Sequence, residues 1–307
     1  MASASVNGIT IGFDETGDGD NALLLVHGHP FNRSMWDPQL GPIADAGWRV
    51  VAPDLRGYGE STVVPGKTPL DVFAADLAAL LDHLGIADVV IGGLSMGGQI
   101  AMEFARQYPD RLRGLMLAAT FAHTDTDEGK RKRNAMADRL VREGMGEYAD
   151  GVLSQMLALR SIETKPAVAE HVSAMMHATN PQGAAAALRG RSERPSYIET
   201  LANLKVPALV VVGSEDAFTT RQDAEQMRDL LEGSELVWLE GIGHMPNLES
   251  PEAFNSALIR FLSRLASTRT TMRNTDGIWR FRPYVSMIRD GGPIGSITST
   301  AQTLGST

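Results

Sequence analysis

Ser95 stands in Gly93-Leu94-Ser95-Met96-Gly97, between an apolar run, Val89-Val90-Ile91, and a helix-compatible segment from Gln99 to Tyr108. A serine at so abrupt a passage from strand to helix is held in a strained backbone conformation, and small neighbours at Gly93 and Gly97 let the two elements approach. That arrangement lifts the hydroxyl above the sheet as a nucleophile; the competing role for the same serine is a helix N-cap. Serine attacks well only if a base takes its proton, and the base needs a carboxylate to fix its tautomer. His244 is the expected base, because it alone of seven histidines follows the last strand, inside Gly241-Ile242-Gly243-His244-Met245-Pro246. The acid is Asp216 or Glu215 in Gly213-Ser214-Glu215-Asp216, with Asp54 and Asp76 still open.

Two backbone N–H groups are expected to form an oxyanion hole: Met96, after the serine, and His29, in His27-Gly28-His29-Pro30. His27 reads as structural, His83 lies in a helix, His171 and His177 fall in a helical insertion, and His123 is expected to contact the site at most. His123-Thr124-Asp125-Thr126-Asp127 carries ligand-type side chains, yet a polar loop is the favoured reading and no metal site is expected.

The elements that must place these residues alternate between strand and helix. Ala22 to Val26, Arg49 to Ala52 and Val89 to Ile91 are short apolar runs, each ending near glycine, as strands buried on both faces do. Thr68-Pro69-Leu70-Asp71 predicts a helix with Thr68 as N-cap, Leu70, Phe73, Leu77 and Leu81 on its apolar face, and Gly85 at its close. Strands are expected again at Gly114 to Ala118, Val206 to Val212 and Glu235 to Leu239, with a final helix from Pro251 to Leu265. The pattern predicts a parallel sheet with helices on both faces, whose active-site residues collect at the carboxyl ends of the strands.

Between Phe121 and about Pro195 no strand is legible and the sequence is helical throughout. Residues 1–120 and 201–266 are therefore expected to form the two parts of an α/β core, 121–200 an inserted helical cap, and 267–307 a disordered or loosely docked tail. Met136, Met145, Met156, Met175 and Met176 punctuate the insertion, with one or two expected to line a pocket. Lys130-Arg131-Lys132-Arg133 reads as a solvated helix face.

A net charge of -9 argues against nucleic-acid and anionic-membrane partners, which need a positive surface. The absence of cysteine removes disulfides, thiolate nucleophiles and cysteine-ligated zinc. With neither an export signal nor a membrane-spanning run legible, a cytoplasmic protein is expected.

The motifs His27-Gly28-His29-Pro30, Asp54-Leu55-Arg56-Gly57-Tyr58-Gly59, Gly93 to Gly98, Gly213 to Asp216 and Gly243-His244 occur in one order. In them the chain resembles the α/β-hydrolase family from about Val6 to Leu265. The resemblance implies the α/β-hydrolase fold with a helical cap, the order Ser95, Asp216, His244 for nucleophile, acid and base, and no cofactor. It implies a serine hydrolase acting on a small-molecule ester or lactone, with the oligomeric state open and a homodimer admitted. Carbon–carbon hydrolases of meta-cleavage products, 3-oxoadipate enol-lactonases and cofactor-free perhydrolases share parts of the pattern. A ligand-binding receptor on a hydrolase scaffold is the reading from a different class. Met245 departs from the tryptophan usual in the meta-cleavage hydrolases, whereas Ala178-Thr179-Asn180-Pro181-Gln182-Gly183 to Arg189 resembles the enol-lactonase cap.

Overall fold

The computed structural model describes the backbone of residues 2–273 and the side chains of residues 2–266. The chain enters through a hairpin, β1 (Ala2–Val6) and β2 (Ile9–Thr16), which turns at Asn7-Gly8 with both residues at positive φ. There follow β3 (Asn21–Val26), α1 (Asp37–Asp45), β4 (Trp48–Pro53), α2 (Leu70–His83), β5 (Val89–Leu94), α3 (Met96–Gln107) and β6 (Leu112–Ala118). Six helices come next without a strand: α4 (Asp127–Glu143), α5 (Gly146–Met156), α6 (Leu159–Thr164), α7 (Pro166–Ala178), α8 (Pro181–Ser192) and α9 (Ile198–Asn203). The sheet resumes with β7 (Ala208–Gly213), followed by α10 (Arg221–Leu230), β8 (Glu235–Leu239), α11 (Pro246–Glu249) and α12 (Pro251–Arg273).

The eight strands form one sheet in the order β1-β2-β4-β3-β5-β6-β7-β8. Pairing is antiparallel from β1 through β2 to β4 and parallel from there to β8. Every residue of β5 and β7 is buried, which explains why these strands read as unbroken apolar runs. Phe73, Leu77, Ile100 and Phe104 of α2 and α3 cover one face of the sheet; Ile43, Phe254, Leu258 and Phe261 of α1 and α12 cover the other. The inserted helices carry a smaller cluster of their own, in which Ala137 and Leu140 of α4 meet Ala184, Ala185 and Leu188 of α8.

Two expectations need correction. Thr68 does not cap α2: Pro69 occupies the cap position in extended backbone and makes no side-chain capping bond, while within the first turn the Val72 N–H donates to the Asp71 carboxylate at 2.9 Å. Thr68 is instead buried against α8, where its N–H donates to the Ala186 carbonyl at 2.9 Å. A tertiary contact has taken the residue that local propensity offered to the helix. The last helix also runs past Leu265 to Arg273, so the beginning of the expected tail is helical; the rest of it lies outside the described residues.

Gly190 marks how tightly α8 docks on the core, since a Cβ there would stand 1.7 Å from the Thr68 carbonyl oxygen. Gly190→Ala should therefore lower stability by about 1–3 kcal/mol, because the backbone must shift to relieve the overlap. Gly41→Ala in α1 meets nothing within 4 Å and should stabilise by roughly 0.5–1 kcal/mol through helix propensity. Urea denaturation of both variants checks the contrast in sign.

Candidate active site

Ser95 sits between β5 and α3 at φ 57° and ψ -115°, in the left-handed region that a residue with a Cβ seldom occupies. Close backbone approach holds it there: a Cβ on Gly93 would stand 2.1 Å from the Gly97 carbonyl oxygen, and one on Gly97 2.1 Å from that of Val26. Hydrogen bonds complete the clamp. The Ser95 N–H donates to Ala118 at 2.9 Å, and its carbonyl accepts from the Gln99 N–H at 3.1 Å and the Thr120 hydroxyl at 2.8 Å. The side chain makes no capping bond to α3, so the N-cap role does not use the hydroxyl.

His244 follows β8, and its Nδ1 lies 2.9 and 3.0 Å from the two carboxylate oxygens of Asp216, which follows β7. Facing a carboxylate, Nδ1 carries the proton and donates, which leaves Nε2 of the neutral ring as an acceptor. Asp216 also accepts the N–H groups of Phe218 at 2.8 Å and Thr219 at 3.1 Å. Burial works against its ionisation, but His244 and the two N–H groups outweigh burial and hold the carboxyl below the usual range. The edge of Phe218 meets the imidazole with ring centres 4.7 Å apart.

None of the rival acids pairs with His244. Glu215 is exposed. Asp54 pairs with Arg33, and Asp76 accepts from Arg56 twice at 2.7 Å. His27 is structural: its Nε2 accepts the Leu55 N–H at 2.9 Å, so Nδ1 is protonated and donates to the Gly28 carbonyl at 2.9 Å. His29 Nδ1 lies 2.8 Å from the Tyr58 hydroxyl, and its buried Nε2 has no partner. Burial, then the nearby Arg191 and Arg133, push the His29 pKa well below its ordinary value, so the ring is neutral. Its backbone N–H makes no hydrogen bond to other backbone among the described residues. Met96 opens α3, and the helix leaves its N–H without an intrahelical acceptor.

Ser95, His244 and His29 border one cavity of about 640 Å³, roofed by α4, α5 and α8. Ser95 and His244 are not hydrogen-bonded to each other, although both face this space. Met136 and Met156 line it, whereas Met145, Met175 and Met176 are buried packing residues. The basic run keeps its expected solvated role at Arg131 and Lys132, which are exposed and share Glu128, although Lys132 also borders the cavity; Arg133 departs from it, largely buried at the cavity and paired with Asp125. Sequence reasoning passed over Tyr148 and Arg191, which line the cavity, and Glu249, whose buried carboxylate accepts the N–H groups of Gly243 and Met245 at 3.1 Å and so braces the His244 loop. Residues with no local motif leave no signal; Glu249 had one, an acid close behind a catalytic-type histidine.

His123 stays at the surface, stacked on Phe121 and 3.1 Å from Asp223. Asp125 is taken by Arg133 and Arg194, and Thr126 caps α4. Among the described residues no group of His, Asp or Glu has a metal-binding arrangement, and no helix is long and apolar enough to cross a membrane.

The Alpha/beta hydrolase family model matches residues 23–257. This chain belongs to the α/β-hydrolase family. It is 34% identical over 250 residues to a pimeloyl-[acyl-carrier protein] methyl ester esterase of Neisseria meningitidis serogroup B, covering 79% of this chain and 93% of the relative. It is 30% identical over 247 residues to 3-oxoadipate enol-lactonase 2 of Acinetobacter baylyi, covering 79% and 89%. A thermophilic esterase from Thermogutta terrifontis, solved with malate bound, superposes with a TM-score of 0.83 at 38% identity, covering 86% of this chain and 98% of that one. The family assignment supports a hydrolase or esterase role.

Asp125 offers a test of how the cavity roof is tied down. Burial opposes its ionisation, but hydrogen bonds and charge from Arg133 and Arg194 prevail and hold its carboxyl well below the usual range. A depressed folded-state pKa stabilises above the unfolded value, about 3.9, and that stabilisation is lost as pH falls through the folded value. Urea midpoints of wild type and Asp125→Asn should thus differ most near neutrality, and the gap should narrow by pH 3.

Proposed function

We propose that the protein is a serine hydrolase that cleaves a small or medium carboxylic ester or lactone through an acyl-enzyme, with Ser95, Asp216 and His244 as nucleophile, acid and base. The observation that carries this reading is the buried Asp216–His244 pair, bonded at 2.9 Å, bordering the same cavity as a strained serine whose hydroxyl is not spent on capping. Names of relatives support the substrate class, since one is a methyl ester esterase and another an enol-lactonase.

In this mechanism His244 Nε2 takes the proton of Ser95 Oγ as that oxygen attacks the substrate carbonyl. Asp216 keeps the proton on Nδ1 and stabilises the imidazolium that forms. Such serine–histidine contacts tighten when substrate enters, which accounts for a cavity where the two groups face each other without a bond. The N–H groups of Met96 and His29 receive the developing oxyanion, a donor pair of the kind whose members are each worth roughly 10²–10³-fold in rate. The positive end of α3 adds to that field. Collapse of the tetrahedral intermediate expels the alcohol, which takes its proton from His244. A water activated by the same histidine then releases the acid. A lactone follows the same course, except that the leaving alcohol stays attached to the acyl chain.

A chain-length series of 4-nitrophenyl esters tests the reading, with a lactone and a meta-cleavage dienoate in the same panel. Ser95→Ala should abolish the acylation burst and lower turnover by roughly 10⁴-fold or more while circular dichroism is retained. Asp216→Asn should cost about 10⁴-fold through loss of the productive tautomer. Turnover of the dienoate alone would move the reaction to carbon–carbon cleavage; ligand-dependent stabilisation without any turnover would favour a receptor.

A further inference from the structure

Arg191 of α8 is 8% exposed and lines the cavity. Its Nε donates to the side-chain oxygen of Gln99 at 2.6 Å, and no carboxylate among the described residues pairs with it. The other cations of the cavity wall are all matched: Arg133 by Asp125, Arg139 by Glu143 and Glu147, Lys132 by Glu128. The most deeply placed cation of the wall is thus the one without a counter-ion. A buried guanidinium in that state is costly unless an anion meets it. Burial first, then Arg133 and Arg194, depress its basicity, and a bound anion would act in the opposite direction.

We infer that the cavity admits an ester or lactone that carries a carboxylate, and that Arg191 binds this carboxylate. The inference rests on the hydrolase reading above and narrows its substrate. Gln99 fixes the guanidinium plane through Nε and leaves Nη1 and Nη2, which find no acceptor among the described residues, as a fork that matches two carboxylate oxygens. Gln99 also donates its N–H to the Ser95 carbonyl at 3.1 Å, so the fork is tied to the first turn behind the nucleophile and serves the same substrate molecule. The charges of the wall agree with this assignment: Lys132, Arg133 and Arg139 are each matched by an acid, which leaves Arg191 as the cation that an incoming carboxylate would meet.

Mono-4-nitrophenyl adipate and 4-nitrophenyl hexanoate share acyl length and leaving group and differ in a terminal carboxylate against a methyl. The ratio of their kcat/KM values should fall by roughly 10- to 100-fold in Arg191→Gln, the scale of a charge-assisted hydrogen bond, with Arg191→Lys between that variant and wild type. Free adipate should raise the thermal midpoint of Ser95→Ala protein, and adding Arg191→Gln should remove that rise. A ratio unchanged in both Arg191 variants, or adipate protection that persists without the guanidinium, would overturn the inference. If wild type hydrolysed neither ester, the hydrolase reading would fall by itself, and the adipate shift would still decide the role of Arg191.

Discussion

The structure depends on the closeness with which α3 is driven against the strands beneath it. With Gly97 packed on the Val26 carbonyl and Gly93 on the Gly97 carbonyl, Ser95 can pass from β5 to α3 only through positive φ. That strain is held by bonds to Ala118 and Thr120 at the end of β6 and beyond it, so two neighbouring strands and a helix over-determine one residue. The parallel sheet then sets the rest. Because β3, β5, β7 and β8 all run the same way, the loops carrying His29, Ser95, Asp216 and His244 emerge at one edge.

Rigidity around these loops comes from polar side chains bonded to backbone groups or, at Asp125, to two arginines. Glu249 holds the His244 loop and also accepts the Ala158 N–H at 2.9 Å, linking that loop to the inserted helices. His27 bridges the turn after β3 to the loop after β4. Asp125 joins Arg133 of α4 to Arg194 beyond α8. Each is a buried polar group whose loss would leave donors unpaired, at roughly 1–3 kcal/mol apiece. The roof thus meets the core through a few directional contacts as well as through packing, and its own apolar cluster is small.

The strands, the helix-only insertion and the placing of Ser95 and His244 at strand ends were legible because each has a local cause. Buried parallel strands must be continuously apolar, glycines must stand where backbones meet, and polar residues at strand ends are few. Thr68 misled because a cap is only a local preference, worth about 1 kcal/mol, and docking on α8 outweighed it. Within the basic run Arg133 alone misled, for a related reason: four consecutive cations on a helix cannot all face one way, and only the packing of α4 over the core turns this one to Asp125 and the cavity.

By itself the amino-acid sequence determined the fold class, the order of the elements and the residue types available for chemistry, since hydrophobic period and glycine placement act over short stretches of chain. Only the tertiary structure shows which carboxylate faces His244, because a carboxylate's partner is a matter of distance across the sheet: Asp54 found Arg33, Asp76 found Arg56, and Asp216 found His244. It alone also decided the character of the cavity. Arg191, Tyr148, Met136 and Met156 come from three inserted helices, α8, α5 and α4, and which side of each helix faces Ser95 is set by how those helices pack on one another and on the core.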